Sequence, residues 1–331
     1  MTPINGAISF GGVITALITP FHDDSVDLNA LADLVDWQIG QGVQGLVACG
    51  TTAESPTLSH SEWREAIRLC VDVARGRVPV IAGSGVNDTR RTIELTNEAA
   101  RLGADAALVV TPYYNRPPQE GLFRHFDAVA RSVDLPIILY NVPSRTAVDL
   151  ELDTLERLAE RSGIIGIKDA TGDLTRVGAT LDRFGDRFIQ LSGHDRSMPG
   201  FVAVGGNGAI SVISNVAPML SVAMIDAIGR GDLAEARRIQ RHLLPLQQAL
   251  DLEVNPGPIK FALHCLRGYS PHPRLPLVDV ESATARAIRE TIALADTPSV
   301  DSSAIRLTPV SPLSTAGARQ RSRPFMPAVR T

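Results

Sequence analysis

Only three cysteines occur in the 331 residues, Cys49, Cys70 and Cys265, and none stands in a CxxC pair. An odd, sparse set argues against a disulfide framework and fits a reducing cytoplasm, the expected location. Histidine is thin as well: the seven are scattered with no HxH or HxxxH spacing, so no metal site is expected. Basic charge is not in excess. A net charge of −4 and a sequence pI near 6.0 leave no basic face, so no nucleic-acid partner is expected. Long apolar runs are missing too. The run Val13 to Ile18 has no basic segment before it and is far too short to cross a bilayer, so it reads as a first strand and no membrane partner is expected. No nucleophile elbow or phosphate loop occurs. Gly83-Ser84-Gly85 lacks the third glycine and the acidic residue of a dinucleotide loop, and no cofactor is expected.

What remains is an ordinary globular composition, 44% hydrophobic and 21% charged, with material for one large domain or two smaller ones. Strand-like and helix-like segments alternate along most of it, the mark of βα units and a parallel sheet. Strands are expected at Gly12 to Thr19, Gly45 to Cys49, Val78 to Ala82, Ala106 to Val110, Ile137 to Tyr140, Ile164 to Asp169, Phe188 to Leu191 and Gly208 to Val212. Between them Asp27 caps one helix. Ser59 and Glu62 form a capping box for another, which presents Trp63, Ala66, Ile67, Cys70 and Ala74 to the core. About eight such units in roughly 230 residues fit an α/β TIM (β/α)8 barrel better than an open sheet. The barrel is expected over residues 1–228, with a C-terminal helical appendage over 229–295. That appendage comprises a helix at 232–251 interrupted by Pro245, and helices near 257–267 and 281–295. From Asp296 the chain turns rich in Pro, Ser and Thr, and 296–331 is expected to be a disordered tail.

The sixth strand, Ile164-Ile165-Gly166-Ile167-Lys168-Asp169, ends in a lysine. Desolvation at the mouth of a buried strand disfavours an ammonium, and the neutral amine is a nucleophile toward carbonyls. A surface ion pair of Lys168 with Asp169 is the other reading. In a barrel of this kind the chemistry sits at the C-terminal ends of the strands. Here those ends carry Thr51 and Thr52, Tyr113 and Tyr114, Tyr140 and Arg145. A single strand-end tyrosine packs more often than it reacts. Three of the chain's four tyrosines, however, fall at these mouths, which suits a hydroxyl relay beside a Schiff-base lysine. Arg145 either orients a substrate carboxylate or holds a loop.

The motifs Gly50-Thr51-Thr52-Ala53-Glu54-Ser55, Thr111-Pro112-Tyr113-Tyr114-Asn115-Arg116-Pro117, Tyr140-Asn141-Val142-Pro143-Ser144-Arg145-Thr146 and Gly166-Ile167-Lys168-Asp169-Ala170 occur in this order. With them the chain from about Gly11 to Ala295 resembles the pyruvate-dependent class I aldolases that include dihydrodipicolinate synthase and N-acetylneuraminate lyase. The double threonine and the arginine after Asn-Val-Pro point to the synthase branch. The resemblance implies that Lys168 forms a Schiff base with pyruvate and that the enamine attacks L-aspartate 4-semialdehyde. It also implies that Tyr140 carries protons with Thr52 and with a Tyr114 lent by a neighbouring subunit. Thr51 would hold the pyruvate carboxylate, Arg145 the semialdehyde, and backbone groups of Gly193 and Ile210 would line the pyruvate pocket. It implies a homotetramer, a dimer of dimers. A lyase of sugar acids or of 4-hydroxy-2-oxoglutarate is the alternative, and a catalytically silent pyruvate binder a third reading. Three departures from the family pattern stand out. Ala53 replaces a usual glycine, and His194-Asp195-Arg196 replaces a pair of acids. In the cleft where some members bind lysine as an inhibitor, Ser55, His60, Asn87 and Tyr113 fit but Trp63 and Arg91 do not.

Overall fold

The computed structural model describes residues 10–296. Eight strands, Gly12–Ala16, Gly45–Ala48, Val80–Gly83, Ala106–Val110, Ile137–Asn141, Ile164–Asp169, Ile189–Ser192 and Gly208–Ser211, follow one another around a closed barrel. Every pairing is parallel, and the eighth strand closes on the first through Ile14 and Ile210. The expected (β/α)8 barrel is the observed fold.

Parallel strands need apolar cover on both faces, and alternation along each strand provides it. Val13, Leu46, Val80, Leu139 and Ile167 face the surrounding helices. Ile14, Val47, Ile81, Leu108, Ile138, Leu191 and Ile210 fill the barrel interior. The helices begin where their caps stand: Asp27 accepts from the Ala30 amide, and Ser59 and Glu62 make both bonds of the capping box. The helix His60–Ala74 buries the five residues its periodicity marked.

One irregularity decides what the barrel can do. Ile137 pairs with Ile164, but Ile138 pairs with Gly166, so Ile165 is an extra residue in the sixth strand. Such a bulge reverses the side-chain parity beyond it. Ile164 faces the helices, and strict alternation would send Lys168 the same way. The extra residue turns Lys168 into the barrel beside its register partner Tyr140. Gly166 is required at the bulge, because a Cβ there would lie 2.4 Å from the Ile189 carbonyl oxygen.

Several expected limits shift. The first strand stops at Ala16 rather than Thr19, and the eighth at Ser211 rather than Val212. Side chains claim the amides beyond: Ile18 N–H goes to Asn215 Oδ1, and those of Val212 and Ile213 go to Asp195 Oδ2. The interruption at Pro245 does not occur; Leu233–Leu250 is one helix with the proline inside it. Pro245 lies on the exposed side. Ile239, Leu243, Leu246 and Leu250 are buried on the other, so packing on both sides of the proline offsets the lost hydrogen bond. The helix expected at 281–295 is divided into Ser282–Thr291 and Ala293–Asp296. The tail expected from 296 onward lies outside the described residues except for Asp296.

The appendage, Leu233–Leu250 with Gly257–Arg267 and the two pieces just named, is locked to the barrel by charge as well as by packing. Lys260 and Glu54 are both fully buried, with Nζ 2.7 Å from Oε1, and Nζ also donates to the Thr19 carbonyl at 3.1 Å. Desolvation pulls the Lys260 pKa down against the opposing pull of Glu54. The second Glu54 oxygen accepts from the Arg274 amide, and the Arg274 guanidinium pairs with Glu62, whose pKa it holds down at about 2.

Candidate active site

A cavity of about 200 Å³ opens at the C-terminal ends of the strands and contains Lys168 near its floor. Lys168 is 5% exposed, and its Nζ sits 4.3 Å from the centre of the Tyr140 ring. The surface ion pair with Asp169 is not formed. Asp169 faces outward and is taken by Arg176 Nε at 2.8 Å and by Thr171. Gly193 lies under the lysine: a Cβ there would come within 2.9 Å of Lys168 Cε, so only a glycine lets the side chain run straight across the exit of the seventh strand.

Thr51, Thr52, Tyr140, Arg145 and Gly193 all line this cavity with Lys168. Thr52 is buried and its Oγ1 accepts from Asn255 Nδ2 at 3.0 Å. Arg145 is exposed at the rim and donates to the Asn255 carbonyl at 3.1 Å. The site thus joins an amine, the three hydroxyls of Thr51, Thr52 and Tyr140 and a guanidinium, a set able to form an imine, move protons and hold a carboxylate. Two expected residues lie elsewhere. Ile210 is in the packed interior and is not among the cavity-lining residues; Val212 and Ile213 line it on that side. Tyr114 is 89% exposed and outside the cavity, with its backbone held in the left-handed region at φ 70°. Among the described residues no cluster of three or more His, Cys, Asp or Glu is placed to hold a metal.

The Dihydrodipicolinate synthetase family profile matches residues 9–295. The chain belongs to this family. The 4-hydroxy-tetrahydrodipicolinate synthase of Rhodospirillum centenum is 52% identical over 280 residues, which is 85% of this chain and 96% of that one. Its counterpart from Parvibaculum lavamentivorans is 51% identical, over 84% and 96%. The crystal structure of the chloride-inhibited dihydrodipicolinate synthase from Acinetobacter baumannii, complexed with pyruvate, superposes with a TM-score of 0.84 at 43% identity, covering 87% of this chain and 99% of that one. The enzyme from Methylacidiphilum fumariolicum gives 0.85 at 41% identity, over 87% and 96%.

Two departures from the dihydrodipicolinate synthetase pattern acquire a physical meaning. Ala53 does not hold the strained backbone; Glu54 does, at φ 57°, while Ala53 is buried and its carbonyl accepts from Thr19 Oγ1 at 2.8 Å. Losing a glycine at 53 therefore costs this loop nothing in φ. In His194-Asp195-Arg196 the acid that remains is structural, because Asp195 ties the exit of the eighth strand to that of the seventh through two amides. Arg196 bridges to Asp251 at the end of the long appendage helix, and both line the cavity. Sequence reasoning missed Asn255. Its one signal was its place just before Pro256-Gly257-Pro258, where the chain enters the helix Gly257–Arg267.

Proposed function

We infer that the chain condenses pyruvate with L-aspartate 4-semialdehyde through a lysine Schiff base, as a 4-hydroxy-tetrahydrodipicolinate synthase opening lysine and diaminopimelate biosynthesis. The observation that carries this reading is a buried lysine beside a tyrosine at the mouth of a barrel whose sequence is about half identical to synthases over nearly their whole length. A sugar-acid lyase is disfavoured, since these relatives carry the synthase name. The Lys168 amine adds to the pyruvate C2 carbonyl and water leaves. Loss of a C3 proton gives the enamine, and C3 attacks the semialdehyde carbon, whose oxygen takes up a proton. The product's own amine then displaces Lys168 at C2 as the ring closes. In our reading Tyr140, Thr52 and Tyr114 carry these protons, Thr51 and the backbone of Gly193 hold pyruvate, and Arg145 holds the semialdehyde carboxylate. The test is turnover of the two substrates coupled to a reductase that oxidises a nicotinamide cofactor. Absence of turnover while a pyruvate imine still forms on Lys168 would move the second substrate to another aldehyde.

Support for a shared site comes from Tyr114: a tyrosine with a strained backbone and a ring in solvent contributes little to a lone subunit, and strain of this sort collects at functional positions. We therefore read the enzyme as a cytoplasmic homotetramer built from tight dimers. Among the described residues no helix is long and apolar enough to cross a membrane. Barrel and appendage are divided in this reading at residue 228. Tyr114→Phe is expected to lower kcat by about 100-fold. Mixing its subunits with those of a Lys168→Ala enzyme should restore part of the rate, since one site of each hybrid then holds both groups. No recovery in exchanged hybrids would assign Tyr114 to its own subunit's site.

Feedback by lysine should be weak or absent. Trp63 is buried with its indole N–H on the Gly83 carbonyl, so it offers the cleft no free donor, and Arg91 brings a cation where an inhibitor's ammonium needs an anion. Assays across lysine concentrations should show under about twofold inhibition at 1 mM. Half-inhibition below that concentration would contradict this reading.

A further inference from the structure

We propose that Asn255 is a positioning residue that aims the Thr52 hydroxyl, so that the Thr52 proton points toward the Tyr140 side of the cavity. The proposal rests on the proton relay read above and goes beyond it. A threonine hydroxyl has one proton and can turn it to any acceptor in reach. In this structure Asn255 Nδ2 donates to Thr52 Oγ1 at 3.0 Å, so the threonine oxygen is an acceptor on that side and its own proton is left for a different partner. Thr52 is buried, and both it and Tyr140 line the cavity around Lys168. Turned the other way, the amide would present Oδ1 to Thr52 and draw the proton out of the relay.

Two further observations support a functional role over a structural one. Asn255 Oδ1 is buried without a hydrogen-bond partner among the described residues. An orphaned buried acceptor lowers stability, so packing alone favours an apolar side chain here. The segment is also held in register with the Thr52 loop from both sides. Two residues past Thr52, Glu54 grips Lys260, which lies in the same helix entry as Asn255. Paired clamps from 52 to 255 and from 54 to 260 fix the distance over which the amide acts. The Asn255 carbonyl, by contrast, holds Arg145, a bond that side-chain replacement leaves in place.

The experiment compares the full-length enzyme with Asn255→Leu and Asn255→Asp, each also in a Thr52→Val background, using pyruvate and L-aspartate 4-semialdehyde. Asn255→Leu removes donor and orphan together. It should lower kcat by 10- to 100-fold with both KM values within about threefold, an unchanged or higher Tm, and an undiminished borohydride-trapped pyruvate adduct. Asn255→Asp can only accept from Thr52, and should lose more kcat than Asn255→Leu. In the Thr52→Val background Asn255→Leu should cost less than about twofold more. A wild-type kcat in Asn255→Leu, or the same fold loss with and without the Thr52 hydroxyl, overturns the proposal. Should Asn255→Asp not fold, the Asn255→Leu cycle decides alone. Failure of the relay itself is seen separately, as a Thr52→Val enzyme with full activity, and the proposal falls with it.

Discussion

Lys168→Ala is expected to lower condensation by roughly 10⁴-fold or more, the scale on which loss of a covalent nucleophile acts. The loss should fall on kcat, because without the imine there is no electron sink to stabilise a carbanion at pyruvate C3. The protein should still fold: the substitution removes a 5% exposed amine from the barrel floor and leaves no opposite charge stranded, since Asp169 is paired with Arg176. Circular dichroism and Tm beside the coupled rate separate the two effects. A variant that retains even a tenth of the rate would assign the nucleophile elsewhere.

Lys260→Met should produce the largest loss of stability. Glu54 and Lys260 are wholly buried, and their bond joins the Thr52 loop to the appendage. Removing one partner of such a pair leaves a desolvated charge and costs about 3–5 kcal/mol. For a chain of this size that is a fall in Tm of roughly 4–7 °C. Glu54 also accepts from the Arg274 amide, so its carboxylate does not become free to leave. The double variant Glu54→Gln with Lys260→Met should recover part of the loss, because no uncompensated charge remains. If Lys260→Met melts with the wild type in scanning calorimetry, the pair contributes nothing to holding the loop.

Much of this was legible in the chain. Buried strands such as Ile137-Ile138-Leu139 announce themselves by composition, and caps such as Ser59 with Glu62 by spacing, so strand count and barrel closure follow. Lys168, Tyr140, Thr52 and Arg145 were legible because chemistry-bearing residues at strand exits break an otherwise apolar pattern. The direction of Lys168 was not. In Ile-Ile-Gly-Ile, ahead of the lysine, both faces are apolar, so only pairing with the fifth strand reveals the bulge at Ile165. Asn255 and Lys260 were hidden for a related reason. Their partners Thr52 and Glu54 lie more than 200 residues away, and no local period reports a contact of that span. Pro245 misled because helix propensity is local, whereas burial of Leu243 and Leu246 on either side is not.

The most direct test of the account is borohydride reduction of the full-length enzyme in the presence of pyruvate, followed by intact-mass and peptide mass spectrometry. One pyruvate-derived adduct per chain is expected, on Lys168, blocking the site against later turnover and absent from Lys168→Ala. An adduct on another lysine, or full activity after reduction with pyruvate, would contradict it.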